Sequence, residues 1–409
     1  MNAPAPSAPP LDLAAIRAQF PILSEKIHGK RLAYLDNAAT TQKPEAVLRA
    51  LDGYYRHANS NVHRAVHELA ARATTQYEAA RDRIAGFLNV TREEIVFTRG
   101  TTEGINLVAR SFLQPRLQPG DEVLVTGMEH HSNIVPWQLA GAKVVAARIT
   151  DDGELDLDDW RAKLGARTRL VAVVHVSNSL GTVNPVAEMV REAQARGIPV
   201  LVDGAQAIAH EAQDLRALGA DFFACSAHKA YGPTGFGVLF ARREHLEAMP
   251  PWHGGGDMIR TVAFEGSTWN DVPYKFEAGT PDIAGAIGFA AALDWIASVG
   301  LAAIQAHEHS LLEYATPRLA EIPGLRLVGT ARHKVGVLSF VMEGAHAHDL
   351  GSILDQEGVA VRTGHHCTMP LMARFGIPAT ARASLAVYNG PDDIDQLAVA
   401  LRKAHRLFA

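Results

Sequence analysis

Asp203 and Lys229 stand 26 positions apart, each closing an apolar run: VLVD ends on Asp203 and FFACSAHK ends on Lys229. In an open α/β sheet ligands bind beyond the carboxyl ends of the strands, so both side chains are expected at one crevice. A lysine there, flanked by Ser226 and His228 and followed by a turn containing Gly232, Gly235 and Gly237, suits a Schiff base. Desolvation beside a cofactor would lower its pKa and free the amine. An aspartate at the same crevice would pair with a pyridinium nitrogen and keep pyridoxal phosphate electron-withdrawing. A lysine after a strand is ordinarily a surface residue; the aspartate at this spacing favours the chemical reading.

Four further segments carry candidate groups. In RGTTEGINLV, Gly100, Thr101, Thr102 and Glu103 open a helix after a strand. Its free N–H groups and two hydroxyls suit a phosphate, and a plain capping box is an equally open reading. In MEHHSNIVPW, His130 could stack on a cofactor ring or move protons, although a lone histidine is more often structural. Asn178 ends the run Leu170–Ser177 and arrives at the same edge. In VRTGHHCTMP, Cys367 lies in a polar loop near Arg362, His365 and His366, which could raise its thiolate fraction, whereas Cys225 sits inside an apolar run and reads as packing. Arg382 suits a bidentate clamp on an amino-acid carboxylate, with a surface ion pair as the ordinary alternative.

The elements that must position these groups are legible as a pattern. Apolar runs at Leu32–Leu35, Glu94–Thr98, Glu122–Thr126, Lys143–Ile149, Leu170–Ser177, Pro199–Asp203, Phe222–Ser226 and Gly237–Phe240 alternate with helical stretches such as Pro185–Arg196. Continuous apolar runs are what strands buried on both faces require, so a mainly parallel α/β sheet is expected through about residue 285. Beyond it come helices at Ala284–Val299 and His307–Ile322, strands at Leu325–Val328, Gly336–Val341, Val359–Arg362 and Ala383–Val387, and a closing helix near Ile394–Leu407. This predicts a flexible leader over 1–10, an N-terminal segment over 11–30 packing with a small domain, a large cofactor-binding domain over 31–285, and a smaller α+β domain over 286–409.

Composition narrows the function classes. The 409 residues are 47% hydrophobic and 20% charged, with a net charge of −5 and two cysteines. Disorder, a disulfide framework and a four-cysteine zinc site are excluded. A slightly acidic chain without basic runs is a poor partner for nucleic acid or an anionic membrane. The start MNAPAPSAPP lacks the basic and apolar regions of a secretory signal, so a cytoplasmic location is expected. His63 and His67 have the spacing of a helical zinc pair, but Arg64 replaces the glutamate a zinc hydrolase needs, and no metal is expected.

Together these segments resemble the class V, fold-type I pyridoxal-phosphate enzymes, and within them the group II cysteine desulfurases of the SUF iron–sulfur assembly system. The resemblance rests on YLDNAATTQKP, FTRGTTEGINLVA, MEHHSNIVPWQ, HVSNSLGTVNP, VDGAQA, SAHKAYGPTGFGVL, PPWHGGGDMI, FEAGTPDIAG and RTGHHCTMPLM, spread over nearly the whole chain. It implies a large domain with a mainly parallel, seven-stranded-type sheet flanked by helices, plus the smaller C-terminal domain. It makes Lys229 the cofactor lysine, Asp203 the pyridinium partner, His130 the stacking ring and Gln206 the partner of the phenolic oxygen. Thr101, Thr102, Ser226 and His228 would hold the phosphate, joined by Thr280 from a neighbouring subunit of a homodimer, with Arg64 also reaching across. Asn178, Arg362 and Arg382 would receive L-cysteine, and Cys367 would take its sulfur as a persulfide and pass it to an acceptor protein, with selenocysteine as a further substrate. Ala227 departs from the glycine common before HK; both are small. Transamination would share everything except Cys367, and a non-enzymatic metal or sulfur carrier would need only the HHC cluster.

Overall fold

The computed structural model describes residues 11–408; the leader expected over 1–10 lies outside them. Seven strands form the central sheet: β1 Ile95–Thr98, β2 Glu122–Thr126, β3 Lys143–Ala147, β4 Thr168–Val174, β5 Val200–Asp203, β6 Phe222–Ser226 and β7 Gly237–Ala241. Their order is β1-β7-β6-β5-β4-β2-β3. Only β7 runs antiparallel to its neighbours.

Alternate residues of each strand feed opposite faces. Val171, Val173, Val200, Val202, Phe223 and Cys225 join the core on one side, and Leu170, Ala172, Leu201, Phe222 and Ala224 the core on the other. Burial on both faces explains why the strands read as uninterrupted apolar runs. The carboxyl ends of β1, β2, β4, β5 and β6 therefore share one edge, with Thr98, Thr126, Val174, Asp203 and Ser226 as terminal residues.

A second, four-stranded antiparallel sheet is built from β8 Leu325–Val328, β9 Val337–Met342, β10 Arg362–Gly364 and β11 Thr380–Ser384, in the order β8-β9-β11-β10. Helices Leu301–Ala320, Ala347–Gln356 and Pro391–Phe408 pack beside it.

Three elements depart from the sequence reading. Ala33–Tyr34 is a short strand that pairs with Val359–Ala360 rather than joining the central sheet, and Ala33 and Leu35 lie in the C-terminal core. The helix Ile283–Val299, nearly all of which lies beyond residue 285, packs with the central core, where Ala284, Phe289, Leu293, Trp295 and Ile296 are buried around its circumference. The last strand ends at Ser384, and the apolar Leu385–Val387 that suggested its continuation is buried irregular chain. At the N-terminus, the helix Leu13–Arg17 leads into Phe20, which packs on Trp295, Tyr231 and Tyr388. Arg17 and Arg31 pair with Asp393 of the closing helix, so this segment ties both cores together. Among the described residues no single helix is long and apolar enough to cross a membrane.

Candidate active site

The shared strand edge opens into a cavity of about 200 Å³ between the two sheets, whose lining includes Asp203, Lys229, His130, Asn178, Cys367 and Arg382. Thr101, Thr102, Gln206, Ser226, His228 and Arg362 complete the set of sequence candidates found there. Thr280 lines a neighbouring cavity with Glu277 and Trp252. Arg64 is turned away in an ion pair with Asp257 at 2.7 Å. His63 sits in a loop with φ of 68° and His67 caps the following helix, so the two do not share a helical face.

The floor of the cavity is held by backbone. Asp203 is buried, and its Oδ1 accepts from Ala205 N at 2.9 Å. Burial raises its pKa, partly offset by that bond and by Lys229. Lys229 stands just past β6 in a short turn, Ala227–Lys229. The carbonyl preceding it, that of His228, accepts from Thr41 N at 3.0 Å and from the hydroxyls of Thr40 and Thr41 and Lys43 Nζ, each at 3.1 Å. Burial pushes the Lys229 amine down to about 8; Asp203 opposes that shift, and Arg382 and Arg362 reinforce it. An amine near pH 8 is available as a nucleophile or base under mild conditions.

At the start of the helix Thr101–Leu107, Thr101 N and Oγ1 each lie 2.8 Å from Ser226 Oγ. Gly100, at φ 151°, packs flat on Gly237: a Cβ on Gly237 would come within 2.4 Å of Gly100 Cα. Here the glycine of the TGFG turn is required for close approach of two backbones. The helix start and the β6 end are thereby locked together as one cluster of hydroxyls and N–H groups.

His130 Nδ1 accepts from Ser132 N at 3.1 Å, leaving Nε2 for the cavity. Burial first, then the charges of Lys229, His131, Arg362 and Arg382, pushes its pKa down to about 3, so the ring is neutral. Gln206 Nε2 donates to Ala38 O at 2.7 Å.

The opposite wall comes from the second sheet. Arg382, on β11, is 1% exposed and donates to Asn178 O at 2.8 Å and Asp36 Oδ1 at 3.0 Å. Its buried Nε has no partner, nor has the buried Oδ1 of Asn178. Asn178 Nδ2 donates to His366 O at 2.8 Å. Cys367 follows β10 in a tight turn with φ of 50° at His366 and 58° at itself. Two successive non-glycine residues in the left-handed region are strained, and surrounding bonds must impose the geometry.

Several groups were missed in the sequence. Asp36 occupies part of the Arg382 clamp; its only signal is its place in YLDNAATT. Thr40, Thr41 and Lys43 lie in the same stretch and act across a distance the sequence does not reveal. Glu129, beside His130, is buried, accepts from Thr126 Oγ1 at 2.6 Å, Asn133 Nδ2 at 2.7 Å and Val174 N at 3.0 Å, and is pushed up to about 7 by burial. A glutamate directly after an apolar strand end was its available signal.

Comparison with known proteins agrees with this architecture. The aminotransferase class-V family matches residues 33–397. A cysteine desulfurase from Dickeya dadantii is 54% identical over 398 residues, covering 96% of each chain. The crystal structure of the cysteine desulfurase CsdA from Escherichia coli, in an S-sulfonic acid form, superposes with a TM-score of 0.90 at 42% identity, covering 98% of this chain and 100% of the other. The apo cysteine desulfurase from Thermococcus onnurineus NA1 gives 0.91 at 39% identity, covering 96% and 98%. The chain therefore belongs to the aminotransferase class-V family of pyridoxal-phosphate enzymes and, within it, to the cysteine desulfurases.

Proposed function

We propose that this enzyme removes sulfur from L-cysteine, releases L-alanine and carries the sulfur on Cys367 as a persulfide, as a group II desulfurase supplying SUF-type iron–sulfur assembly. The observation that carries this reading is the convergence of a floor amine, Lys229, and a wall thiol, Cys367, on one cavity. The donor set fits the cofactor: a buried carboxylate, a neutral imidazole, a hydroxyl-lined helix start and the unpartnered Asn178 Oδ1. When bound, pyridoxal phosphate supplies a carbonyl that condenses with amines and a ring that draws charge from the substrate Cα.

Asp203, with one oxygen bonded to Ala205 N, would offer the other to a ring N–H and stabilise its charge. His130 would stack on the ring, and Gln206 would meet its phenolic oxygen. Thr101, Thr102, Ser226 and His228 would hold the phosphate. Thr280 lies outside this cavity and would reach the phosphate from a second copy in a homodimer, across whose interface Arg64 would also extend. Arg382, with an unsatisfied Nε, and Arg362 orient the substrate carboxylate. Lys229 Nζ takes the Cα proton. Cys367 Sγ then bonds to the substrate sulfur as the Cβ–S bond breaks; that bond's electron pair stays on carbon, which is protonated to give alanine. The thiolate must stay reduced, which suits a cytoplasmic enzyme whose persulfide passes to an acceptor protein. Selenocysteine, with a weaker bond to Cβ, is a further substrate.

The test is direct. Purified enzyme mixed with L-cysteine should release alanine, and the Cys367 peptide should gain one sulfur by mass spectrometry. Alanine without sulfur on Cys367, in the absence of any acceptor, would reject the persulfide reading.

A further inference from the structure

The strained turn at Cys367 needs outside restraint, and among the residues that supply it one bonds the turn at two points. His131 N donates to Cys367 O at 2.8 Å, and His131 Nε2 accepts from Met369 N at 3.0 Å. Met369 begins the helix Met369–Arg374, so its N–H is one of the orphan donors of a first turn and has no partner inside that helix. His131 is thus bonded to the residue bearing the thiol and to the residue two places beyond it. Its neighbour in the chain, His130, lines the cavity over the cofactor position. One peptide unit therefore links the cofactor-stacking ring to the sulfur-carrying loop.

We propose that His131 is a positioning residue for Cys367, setting the distance between the thiol and the reacting sulfur through its bonds to Cys367 and Met369. This rests on the reaction proposed above. The role requires Nε2 without a proton. The charged and titratable groups around the ring are His130, at 6.2 Å between ring centroids, and His365, at 5.5 Å; burial and the His365 charge favour the neutral form. His365 Nδ1 in turn accepts Cys367 N at 3.0 Å, so the loop is gripped by two facing imidazoles, each acting as an acceptor. His131 touches neither substrate nor cofactor in this arrangement; it acts through the loop.

Two variants separate positioning from bulk. His131→Phe keeps ring volume and the backbone bond and removes the side-chain acceptor. His131→Gln places a carbonyl oxygen near the old Nε2. In His131→Phe, kcat for alanine formation should fall by about 10–100-fold, because small misplacements of a reacting group cost rates of this order. KM for L-cysteine and the visible cofactor band should be unchanged, since Arg382, Asp203 and Lys229 are untouched. Alkylation of Cys367 by iodoacetamide in cofactor-free enzyme should accelerate severalfold as the loop loosens; Cys225, inside β6, gives no background. His131→Gln should restore most of both readouts. The proposal is overturned if Cys367 in His131→Phe is alkylated at the wild-type rate, if KM moves in place of kcat, or if His131→Gln behaves like His131→Phe. Should the wild type fail to convert L-cysteine, the reaction assignment falls while the alkylation arm still decides the role of His131.

Discussion

The floor and the wall of the active-site cavity are built by different means. On the floor, Asp203 and Lys229 sit at or just beyond the ends of adjacent parallel strands; regular sheet pairing fixes Asp203, and the turn that carries Lys229 follows β6 directly and is held through His228 O. On the wall, Cys367 follows a three-residue edge strand and occupies a turn with two left-handed residues. That turn is held by contacts to the other domain: Asn178 to His366 O, Ser179 Oγ to Thr368 Oγ1 at 2.8 Å, and His131 to Cys367 O. The difference teaches how the chemistry is divided. Groups that must stay aligned with a rigid ring are placed on rigid elements, whereas the group that must collect sulfur and hand it on is placed on a loop whose geometry is imposed from outside.

The largest effects should come from breaking each side at its reactive atom. Lys229→Ala removes the one lysine that lines the cavity among the described residues, and alanine formation should drop by more than about 10³-fold, within the span expected for a lost acid–base group. Cys367→Ser should keep the cofactor colour and lose persulfide formation. The other cysteine is the control. Cys225 is fully buried in β6 and burial pushes its thiol up to about 12, so Cys225→Ser should keep turnover and cost about 1–3 kcal/mol of stability, read by denaturant titration, through a hydroxyl left without a good partner. Persulfide lost in Cys225→Ser, with Cys367→Ser unaffected, would reverse the assignment of the two sides.

A smaller effect tests the electrostatics of the floor. In cofactor-free protein, Lys229 should become reactive toward an amine-acylating reagent as the pH rises through about 8. Below that value the amine is protonated and inert; above it the neutral form predominates. Exposed lysines should follow at about 10.4. On the wall, burial, with Arg382 and Arg362, pushes His366 down to about 3, so its ring should show no titration above pH 5 by NMR. A Lys229 midpoint coincident with exposed lysines would remove the argument that burial prepares the amine.

The two sides also differed in what the sequence revealed. The strands ending at Asp203 and near Lys229 announced themselves as apolar runs because the sheet is buried on both faces, and their common edge follows from parallel topology alone. The loop cysteine was recognisable by its polar surroundings and by resemblance. Its restraint was not legible: His131, Ser179 and Thr368 act through long-range bonds, and positive φ at His366 and Cys367 breaks the local preference of those residue types. The same limit hid the Asp36–Arg382 pair and the hold of Thr41 and Lys43 on the Lys229 turn. It also misassigned Ile283–Val299, whose apolar circumference says that it is buried without saying in which core.

The mildest substitutions should sharpen the contrast most. Thr41 Oγ1 donates to His228 O and accepts Tyr231 N at 2.8 Å. Thr41→Val leaves the Tyr231 N–H buried and unpaired, at a cost of about 1–3 kcal/mol. His228 O keeps its other donors, so the Lys229 turn should loosen without collapsing. Thr368→Val removes the partner of Ser179 Oγ, a loss of similar size on the wall. Both variants should melt a few degrees below wild type, yet their other readouts should divide. Thr41→Val should weaken cofactor retention, followed by visible absorbance after dialysis, and leave Cys367 alkylation unchanged. Thr368→Val should do the reverse, because its hydroxyl touches the thiol loop and nothing on the floor. If both variants moved both readouts equally, the cavity would respond as one unit, and the division between a rigid floor and a restrained wall would be wrong.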